Sequence, residues 1–264
     1  MKISIIGGGN MGSALIKGVV ASKFIVPADI HLSGPHQATL DKVAEVCPGI
    51  VTYTDNSACI KGADVVVLAV KPWILPGVLE EIAPMVAFRE QIIVSLASGI
   101  TLDDMANILS RYSSARILFR VIPNTAMTVR KSMTFISHNN ATEEQVEKVQ
   151  AIFDQVGETA VIDERFLSAA TALCSCGIAY AMRYVRAATE GGVELGLYPN
   201  KAKDYILATL EGAVELLRAT GANPEAEIDK VTTPGGITIK GLNAMEANGF
   251  SHAVIEGLKA STSR

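Results

Sequence analysis

The chain has little charge, and acidic residues only slightly outnumber basic ones. Charged residues make up 19% of the 264 positions, whereas 49% are hydrophobic. A disordered chain needs the opposite balance. Lysine and arginine total 23 against 27 acidic residues, for a net charge of −4, which provides no basic footprint for nucleic acid or anionic lipid. We expect a folded protein with neither a nucleic-acid nor a membrane partner.

Cysteine is also scarce. The cysteines are Cys47, Cys59, Cys174 and Cys176. They form no CxxC pair and stand at no zinc-type spacing with the histidines, so we expect no metal site. The chain also shows no signal-peptide pattern, because Met1-Lys2 leads directly into the short apolar run Ile3–Ile6. These features predict a cytoplasmic protein with reduced thiols.

The longest uncharged apolar run is Phe166–Met182. It is slightly shorter than a membrane span requires, and serine, threonine and glycine interrupt it. This composition favours a buried helix over a membrane-spanning one.

The first part of the chain alternates short apolar runs with amphipathic stretches. We predict strands over Ile3–Ile6, Ile30–Leu32, Val65–Val70, Ile92–Leu96, Ile117–Val121 and Met133–Ile136. Between them we predict helices over Asn10–Ser22, Gln37–Glu45, Trp73–Val86, Thr101–Leu109 and Thr142–Val156. Strands that are apolar throughout and separated by helices indicate a parallel α/β sheet covered on both faces.

The pattern becomes wholly helical after about residue 161. We predict helices over Arg165–Leu195, Pro199–Thr220, Pro224–Val231 and Ile237–Asn248. The first would be about 46 Å long at about 1.5 Å per residue, and its first half is apolar on every side. A helix of this kind needs cover on all faces. We therefore predict two domains, 1–161 and an all-α 162–264, with the second interlocked in an obligate homodimer.

A glycine motif follows the first predicted strand. Residues 7–12 read GGGNMG, which fits G-x-G-x-x-G at the start of a helix. In this motif Gly7 permits a tight turn, Gly9 lets the backbone approach a pyrophosphate, and Gly12 allows close packing of helix and strand. The helix N-terminus adds free N–H groups and partial positive charge. Residues 1–161 are therefore expected to be a Rossmann-type dinucleotide-binding domain.

The end of the second predicted strand bears on which dinucleotide binds. NAD-binding proteins usually carry an acidic residue there for the ribose 2′-hydroxyl. This chain has Ser33-Gly34-Pro35-His36, and Asp29 lies at the opposite end of the strand. We therefore expect NADPH to be preferred, with NADH still usable, and Ser33 to donate to the 2′-phosphate. His36 is equally well explained as a phosphate contact or as a solvated loop residue.

A second glycine segment interrupts the helical region. Pro234-Gly235-Gly236 stands among threonines immediately before a predicted helix. Consecutive backbone N–H groups at such a helix start can form a concave anion site, suited to a small carboxylate. An ordinary turn between helices is the alternative.

Four segments together resemble the pyrroline-5-carboxylate reductase family. They are VTTPGGITIKGLNAME at 231–246, IIGGGNMGSALIKG at 5–18, LAVKP at 68–72 and EGGVELGL at 190–197. They are spread over almost the whole chain in the family's order, and the first is the most specific. The resemblance implies NAD(P)H-dependent reduction of 1-pyrroline-5-carboxylate to L-proline, the last step of proline synthesis. It also implies a Rossmann-type domain, a helical dimerisation domain, and dimers that often assemble into decamers.

The resemblance also implies roles for individual residues. Gly235, Gly236, Ile237 and Thr238 would hold the substrate carboxylate on backbone N–H groups, and Thr238, the catalytic candidate, would hydrogen-bond the ring nitrogen. Matches to the family's cofactor-binding segments, in addition to Gly7, Gly9 and Gly12, are Asn10, Met11, Ser33, Asn56, Ala69, Val70, Lys71, Pro72 and Ala97. Lys71 is equally well explained as a solvated charge at a strand end. No general acid is assigned, because a cyclic imine can arrive already protonated.

One segment departs from the family pattern. Where the family usually has Ser-Gly-Ser-Gly-Pro-Ala-Tyr, residues 174–180 read CSCGIAY. Contacts that rely on those serines are in doubt here. We expect both thiols to be buried packing groups, with redox sensitivity as the alternative.

Two other functions are alternatives to the reductase. A hydroxy-acid dehydrogenase of similar layout carries a catalytic lysine four residues after a glycine early in the long helix. Here Gly177 is followed at that spacing by Ala181. A non-catalytic NADP sensor would leave the glycine–threonine segment without a purpose. We therefore favour the reductase.

Overall fold

The computed structural model describes residues 1–262, which form two compact units. The first unit is residues 1–175 and the second begins at Cys176, further along the chain than the predicted boundary after residue 161. The first unit contains one eight-stranded sheet. Its strands are β1 (Ile3–Ile6), β2 (Ile30–Ser33), β3 (Val51–Tyr53), β4 (Val65–Leu68), β5 (Ile92–Ser95), β6 (Ile117–Ile122), β7 (Ser132–Asn139) and β8 (Gly157–Val161).

The strand order is 3-2-1-4-5-6-7-8, which contains the six-strand Rossmann order 3-2-1-4-5-6. Strands β1 to β6 are all parallel. Strand β7 pairs antiparallel with β6, because a short 3-10 segment, Thr125–Val129, connects them in place of a crossover helix. Strand β8 is again parallel to β7. The Rossmann-type sheet is thus confirmed, extended at one edge by a pair that runs opposite to the rest.

Helices cover both faces of the sheet. Those of the first unit are α1 (Asn10–Ser22), α2 (Gln37–Val46), α3 (Asn56–Cys59), α4 (Leu75–Ile82), α5 (Leu102–Ile108), α6 (Glu143–Phe153) and the short α7 (Leu167–Ala170). One hydrophobic core lies under α1, α2 and α6, and the other under α4 and α5. Because every residue of β1, β4 and β5 is buried, these strands appear in the sequence as unbroken apolar runs.

The second unit is helical. It contains α8 (Gly177–Glu194), α9 (Pro199–Thr220), α10 (Pro224–Val231), α11 (Ile237–Ala247) and α12 (Phe250–Ala260). The predicted long helix runs continuously over Glu164–Glu194, with a π-helical segment at Thr171–Cys176. By length and composition alone this helix could cross a membrane. In the single chain only 17% of its apolar 18-residue stretch is buried. The predicted burial of this helix is therefore not achieved by one chain.

The sequence did not predict the strands β3 and β8, the four-residue helix α3 or the helix α12. Strands β3 and β8 are short and only partly buried, so neither shows a continuous apolar run. Helix α12 has no buried residue in the single chain. By contrast, α1, α9 and α10 begin and end at the predicted residues.

The close packing of α1 against the 3-10 segments beside β7 and β8 provides a stability test. A Cβ at Gly18 would lie 2.4 Å from Cγ1 of buried Val156, whereas a Cβ at Gly77 in α4 would meet nothing within 4 Å. We expect Gly18→Ala to lower the free energy of unfolding by about 1–3 kcal/mol through overpacking. Gly77→Ala should raise it by up to about 1 kcal/mol through helix propensity.

Urea unfolding at one fixed protein concentration measures both changes. Both substitutions replace a helical glycine by alanine, so Gly77→Ala is the matched control. Stabilisation by both variants would contradict the close packing at Gly18.

Candidate active site

A cleft of about 430 Å³ opens where β1, β2, β4 and β5 end. Its lining residues are Gly7, Gly8, Gly9, Asn10, Met11, Gly34, Pro35, His36, Thr39, Ala69, Val70, Lys71, Ile74 and Leu96. They come from the connections that follow these four strands. A parallel sheet places its ligands at this edge, at the point where the strand order reverses.

The glycine turn forms the floor of the cleft. Gly7 has φ +110°, and a Cβ there would lie 2.6 Å from the backbone oxygen of Ala69. A Cβ at Gly12 would lie 1.9 Å from the Gly7 oxygen, whereas a Cβ at Gly9 would meet nothing within 4 Å. Helix α1 begins at Asn10 without a capping side chain, so its first N–H groups are available to an anion. The turn fits the pyrophosphate of a dinucleotide.

The end of β2 differs from the prediction. Ser33 is completely buried and does not line the cleft. Its hydroxyl donates to Oδ1 of Asn56 at 2.7 Å, and Nδ2 of Asn56 donates to Oε2 of Glu81 at 2.9 Å. Asn56 is also absent from the lining. In this arrangement Ser33 holds Asn56, and both are tied to α4.

The residues after Ser33 form the cleft wall on this side. Gly34, Pro35, His36 and Thr39 line it, and His36 is the N-cap residue of α2 with no side-chain cap bond. Gly34, Pro35 and Thr39 were not among the predicted contacts. The N-terminus of a predicted helix directly after a sheet strand could have indicated them. No carboxylate lies among the residues that line the cleft.

The opposite wall comes from the ends of β4 and β5. Ala69, Val70 and Lys71, which are predicted cofactor contacts, line the cleft together with Ile74 and Leu96. Two further candidates, Pro72 and Ala97, are outside the lining. Ala97 is buried, and its N–H donates to Oγ of Ser95 at 3.2 Å.

The predicted substrate segment lies in the second unit. Gly236 N–H donates to the Thr233 oxygen at 2.9 Å, and Gly235 has φ +72°. With Pro234 between them, these are the features of a type II turn. Helix α11 then begins at Ile237 with no capping side chain. Thr238 is exposed in the first turn of α11, so free backbone donors and one hydroxyl stand together there.

The two thiols of residues 174–180 are not fully buried. Cys174 and Cys176 are partly exposed and unpaired at the end of the π-helical segment, so the prediction of buried thiols fails for the single chain. Burial nevertheless raises the pKa of Cys174, which disfavours its reactive thiolate form. Ser175 lies between the two cysteines. Its hydroxyl donates to the backbone oxygen of Pro123 at 2.8 Å, which anchors the segment to the residue that follows β6.

Known proteins match both parts of the chain. Residues 164–264 match the family model "pyrroline-5-carboxylate reductase dimerisation", and residues 2–99 match "NADP oxidoreductase coenzyme F420-dependent". Pyrroline-5-carboxylate reductase of Synechocystis is 33% identical over 265 residues, which cover 100% of this chain and 97% of that protein. The chain belongs to the pyrroline-5-carboxylate reductase family.

Two further relatives support this membership. Pyrroline-5-carboxylate reductase 1 of Dictyostelium discoideum is 35% identical over 99% of this chain, which spans only 49% of that longer protein. The crystal structure of Plasmodium falciparum pyrroline carboxylate reductase with NADP bound has a TM-score of 0.90 at 27% identity, covering 99% of this chain and 95% of that one. The glycine cleft lies in the region that matches the NADP oxidoreductase model, and the Gly235 turn lies in the region that matches the dimerisation model.

The glycine turn generates a prediction that separates ligand binding from folding. Gly9→Ala should place a methyl group where only a ligand approaches, so one hydrogen bond to a phosphate is lost. Such a bond to a charged group is worth about 1.5–3 kcal/mol, which corresponds to about 10- to 150-fold weaker NADPH binding. Gly12→Ala should lower both binding and thermal stability, because the turn itself must open.

Calorimetric titration with NADPH and thermal unfolding measure the two effects. Wild-type affinity in Gly9→Ala would show that phosphate does not approach this turn. Unchanged melting of Gly12→Ala would contradict the close approach of α1 to Gly7.

Proposed function

We propose that this protein reduces 1-pyrroline-5-carboxylate to L-proline with NADPH, the final step of proline synthesis. The observation that carries the proposal is full-length membership of the family, together with an uncapped glycine–threonine turn at the start of α11. The turn lies in the region that matches the family's dimerisation model. Residues 1–161 would bind the dinucleotide, and residues 162–264 would bind substrate and a second subunit.

The composition of the cleft supports NADP as the preferred cofactor, with NAD accepted. The residues lining the end of β2 carry no carboxylate that would repel a 2′-phosphate. The uncapped start of α2, with His36 and Thr39 beside it, offers partial positive charge and polar side chains in its place. The relative from Plasmodium falciparum was crystallised with NADP. Ser33 and Asn56 would then act by shaping this wall rather than by lining the cleft.

The Gly235 turn suits a small carboxylate. We assign the carboxylate to the backbone N–H groups of Gly235, Gly236 and Ile237, since a helix N-terminus stabilises negative charge. Thr238 would hydrogen-bond the ring nitrogen of the imine. Backbone donors can hold a carboxylate without a charged side chain, so this mode of binding does not itself place a positive charge beside the protonated imine.

The proposed reaction requires little acid–base catalysis by the protein. Bound NADPH supplies the hydride that reaches the imine carbon, and a cyclic imine can arrive already protonated. The chain's residues would therefore orient the imine and exclude water. We assign no general acid. Lys71 lines the cleft and contributes charge there without an assigned proton transfer.

Subunit assembly follows from the exposed apolar surface of the second unit. Its exposed large hydrophobic residues include Leu195, Tyr198, Leu216 and Ile237, and only Ala202 is buried within its helices α8 to α12. We propose that a second subunit covers this surface in an interlocked dimer, which assembles further into a decamer. Cover by a subunit accounts for the long apolar helix without a membrane. All four cysteines are free, which suits a cytoplasmic location.

The deciding experiment follows NADPH absorbance with 1-pyrroline-5-carboxylate present or absent, and measures proline at the end. Oxidation of NADPH with stoichiometric proline is the expected result. NADPH binding without turnover would exclude the reductase and favour a dinucleotide sensor.

Thr238 provides the sharpest test of the substrate site. Thr238→Ala should lower kcat/KM by about 5- to 150-fold, because a lost hydrogen bond to a polar group costs roughly 1–3 kcal/mol. Thr232→Ala is the matched control, since the Thr232 hydroxyl donates to the backbone oxygen of Asp229 at 3.1 Å. Steady-state kinetics with varied imine measure both. Equal kinetics for Thr238→Ala and the wild type would remove Thr238 from the mechanism.

Cofactor choice can be tested at Gly34. A Cβ there meets only Leu40 Cδ2 at 3.5 Å and Gly8 N at 3.9 Å, so a side chain fits. Gly34→Asp should weaken NADPH binding by about tenfold or more through repulsion of the 2′-phosphate, while NADH binding changes by less than about threefold. Gly34→Asn is the neutral control of the same shape. Equal losses for NADPH and NADH in Gly34→Asp would show that this wall does not face the 2′-phosphate.

A further inference from the structure

Trp73 is the chain's single tryptophan, and it is 77% exposed. It lies in the connection from β4 to α4, between residues that line the dinucleotide cleft. Lys71 precedes it by two positions and Ile74 follows it directly, and both belong to the lining, whereas Trp73 itself stands outside the lining. The free energy falls when a ligand or a partner removes an indole exposed to this degree from water.

The backbone around Trp73 is held firmly. Ile74 N–H donates to the Lys71 oxygen at 2.9 Å, and Leu75 N–H donates to the same oxygen at 3.2 Å. Leu75 is completely buried in the core under α4. Because the backbone is already fixed, stacking on a ligand has to order only the two side-chain torsions of Trp73, which keeps the entropic cost of binding small.

The side of the cleft on which Trp73 stands indicates which half of the dinucleotide it meets. The adenosine ribose of a dinucleotide lies at the end of the second strand of this fold. Here Pro35, His36 and Thr39 form that wall, and Ile74 belongs to the opposite wall of the same cleft. The bonds from Ser33 to Asn56 and from Asn56 to Glu81 tie the end of β2 to α4. The connection that carries Trp73 therefore borders the adenosine half.

We propose that the indole of Trp73 stacks on the adenine ring of the bound dinucleotide and closes the outer side of its slot. The inference rests on the proposed dinucleotide binding but not on the identity of the substrate. Stacking of a base on an aromatic side chain changes affinity by about 5- to 150-fold on alanine substitution. Trp73 thus contributes to cofactor affinity without touching the reacting atoms.

Intrinsic fluorescence tests the contact directly, because one tryptophan gives one signal. The probe is adenosine 2′,5′-bisphosphate, which carries the adenine and the 2′-phosphate but no nicotinamide. We expect saturable quenching of Trp73 by this probe. Saturable binding detected by calorimetry with no change in fluorescence would overturn the proposal.

Three variants measure the energetic contribution. Trp73→Ala should raise the Kd for adenosine 2′,5′-bisphosphate and for NADPH by about 5- to 150-fold. Trp73→Phe, which keeps a stacking ring, should recover most of that loss. Phe24→Ala is the control and should bind as the wild type does, since Phe24 is a 45% exposed aromatic residue just beyond the C-terminal end of α1, whose N-terminal end lies at the cleft. Equal losses in Trp73→Phe and Trp73→Ala would contradict stacking.

The remaining outcomes separate this inference from the proposed function. A wild-type protein that binds neither NADPH nor the probe would overturn both. Wild-type binding with no loss in Trp73→Ala would overturn only the stacking. A Trp73→Ala variant that binds NADPH more weakly but binds the probe with unchanged affinity would place Trp73 at the nicotinamide half. This result would also overturn the stacking. The stacking would also be overturned if Trp73→Ala formed a smaller assembly and bound the probe with unchanged affinity. That result would make Trp73 a subunit contact.

Discussion

The site in the first unit depends on one close approach, between the glycine turn after β1 and the end of β4. There is no room for a side chain at Gly7 or Gly12, where a Cβ would lie 2.6 Å from the Ala69 oxygen and 1.9 Å from the Gly7 oxygen, respectively. This contact aims the N-terminus of α1 into the cleft and brings residues 69–74 alongside it. The cleft wall, the phosphate donors and the position of Trp73 all follow from that packing. A larger residue at either glycine would separate elements that must act together.

Helix starts in this chain differ in whether a side chain caps them. Asp55 caps α3, Thr101 caps α5 and Thr142 caps α6, whereas the starts of α4, α9 and α12 have no capping side chain. At the proposed ligand sites the starts of α1, α2 and α11 carry no capping side chain. A dinucleotide phosphate or a substrate carboxylate can then occupy the position that a cap would fill. In the proposed function, backbone donors would hold much of the charge of both anions.

The second unit is incomplete as a single chain. Its helices expose large apolar side chains and bury almost none, although their sequences are rich in alanine and leucine. A surface of this kind is stabilised by another protein surface, and the family model for this region describes dimerisation. The dimerisation region and the proposed substrate turn therefore lie in the same part of the chain, residues 164–264.

The sequence by itself determined the features that depend on local chemistry. The glycine spacing fixed the turn at residues 7–12, helix propensity and terminators fixed the bounds of α1, α9 and α10, and the missing acid after β2 indicated the cofactor. The short strands β3 and β8 escaped prediction because edge strands are half solvated and lack an apolar run. Only the tertiary structure decided that Ser33 faces Asn56, and that Thr39, Ile74 and Leu96 share one cleft. Strand order and register bring these distant residues together, and no local pattern in the sequence records which strand will lie beside which.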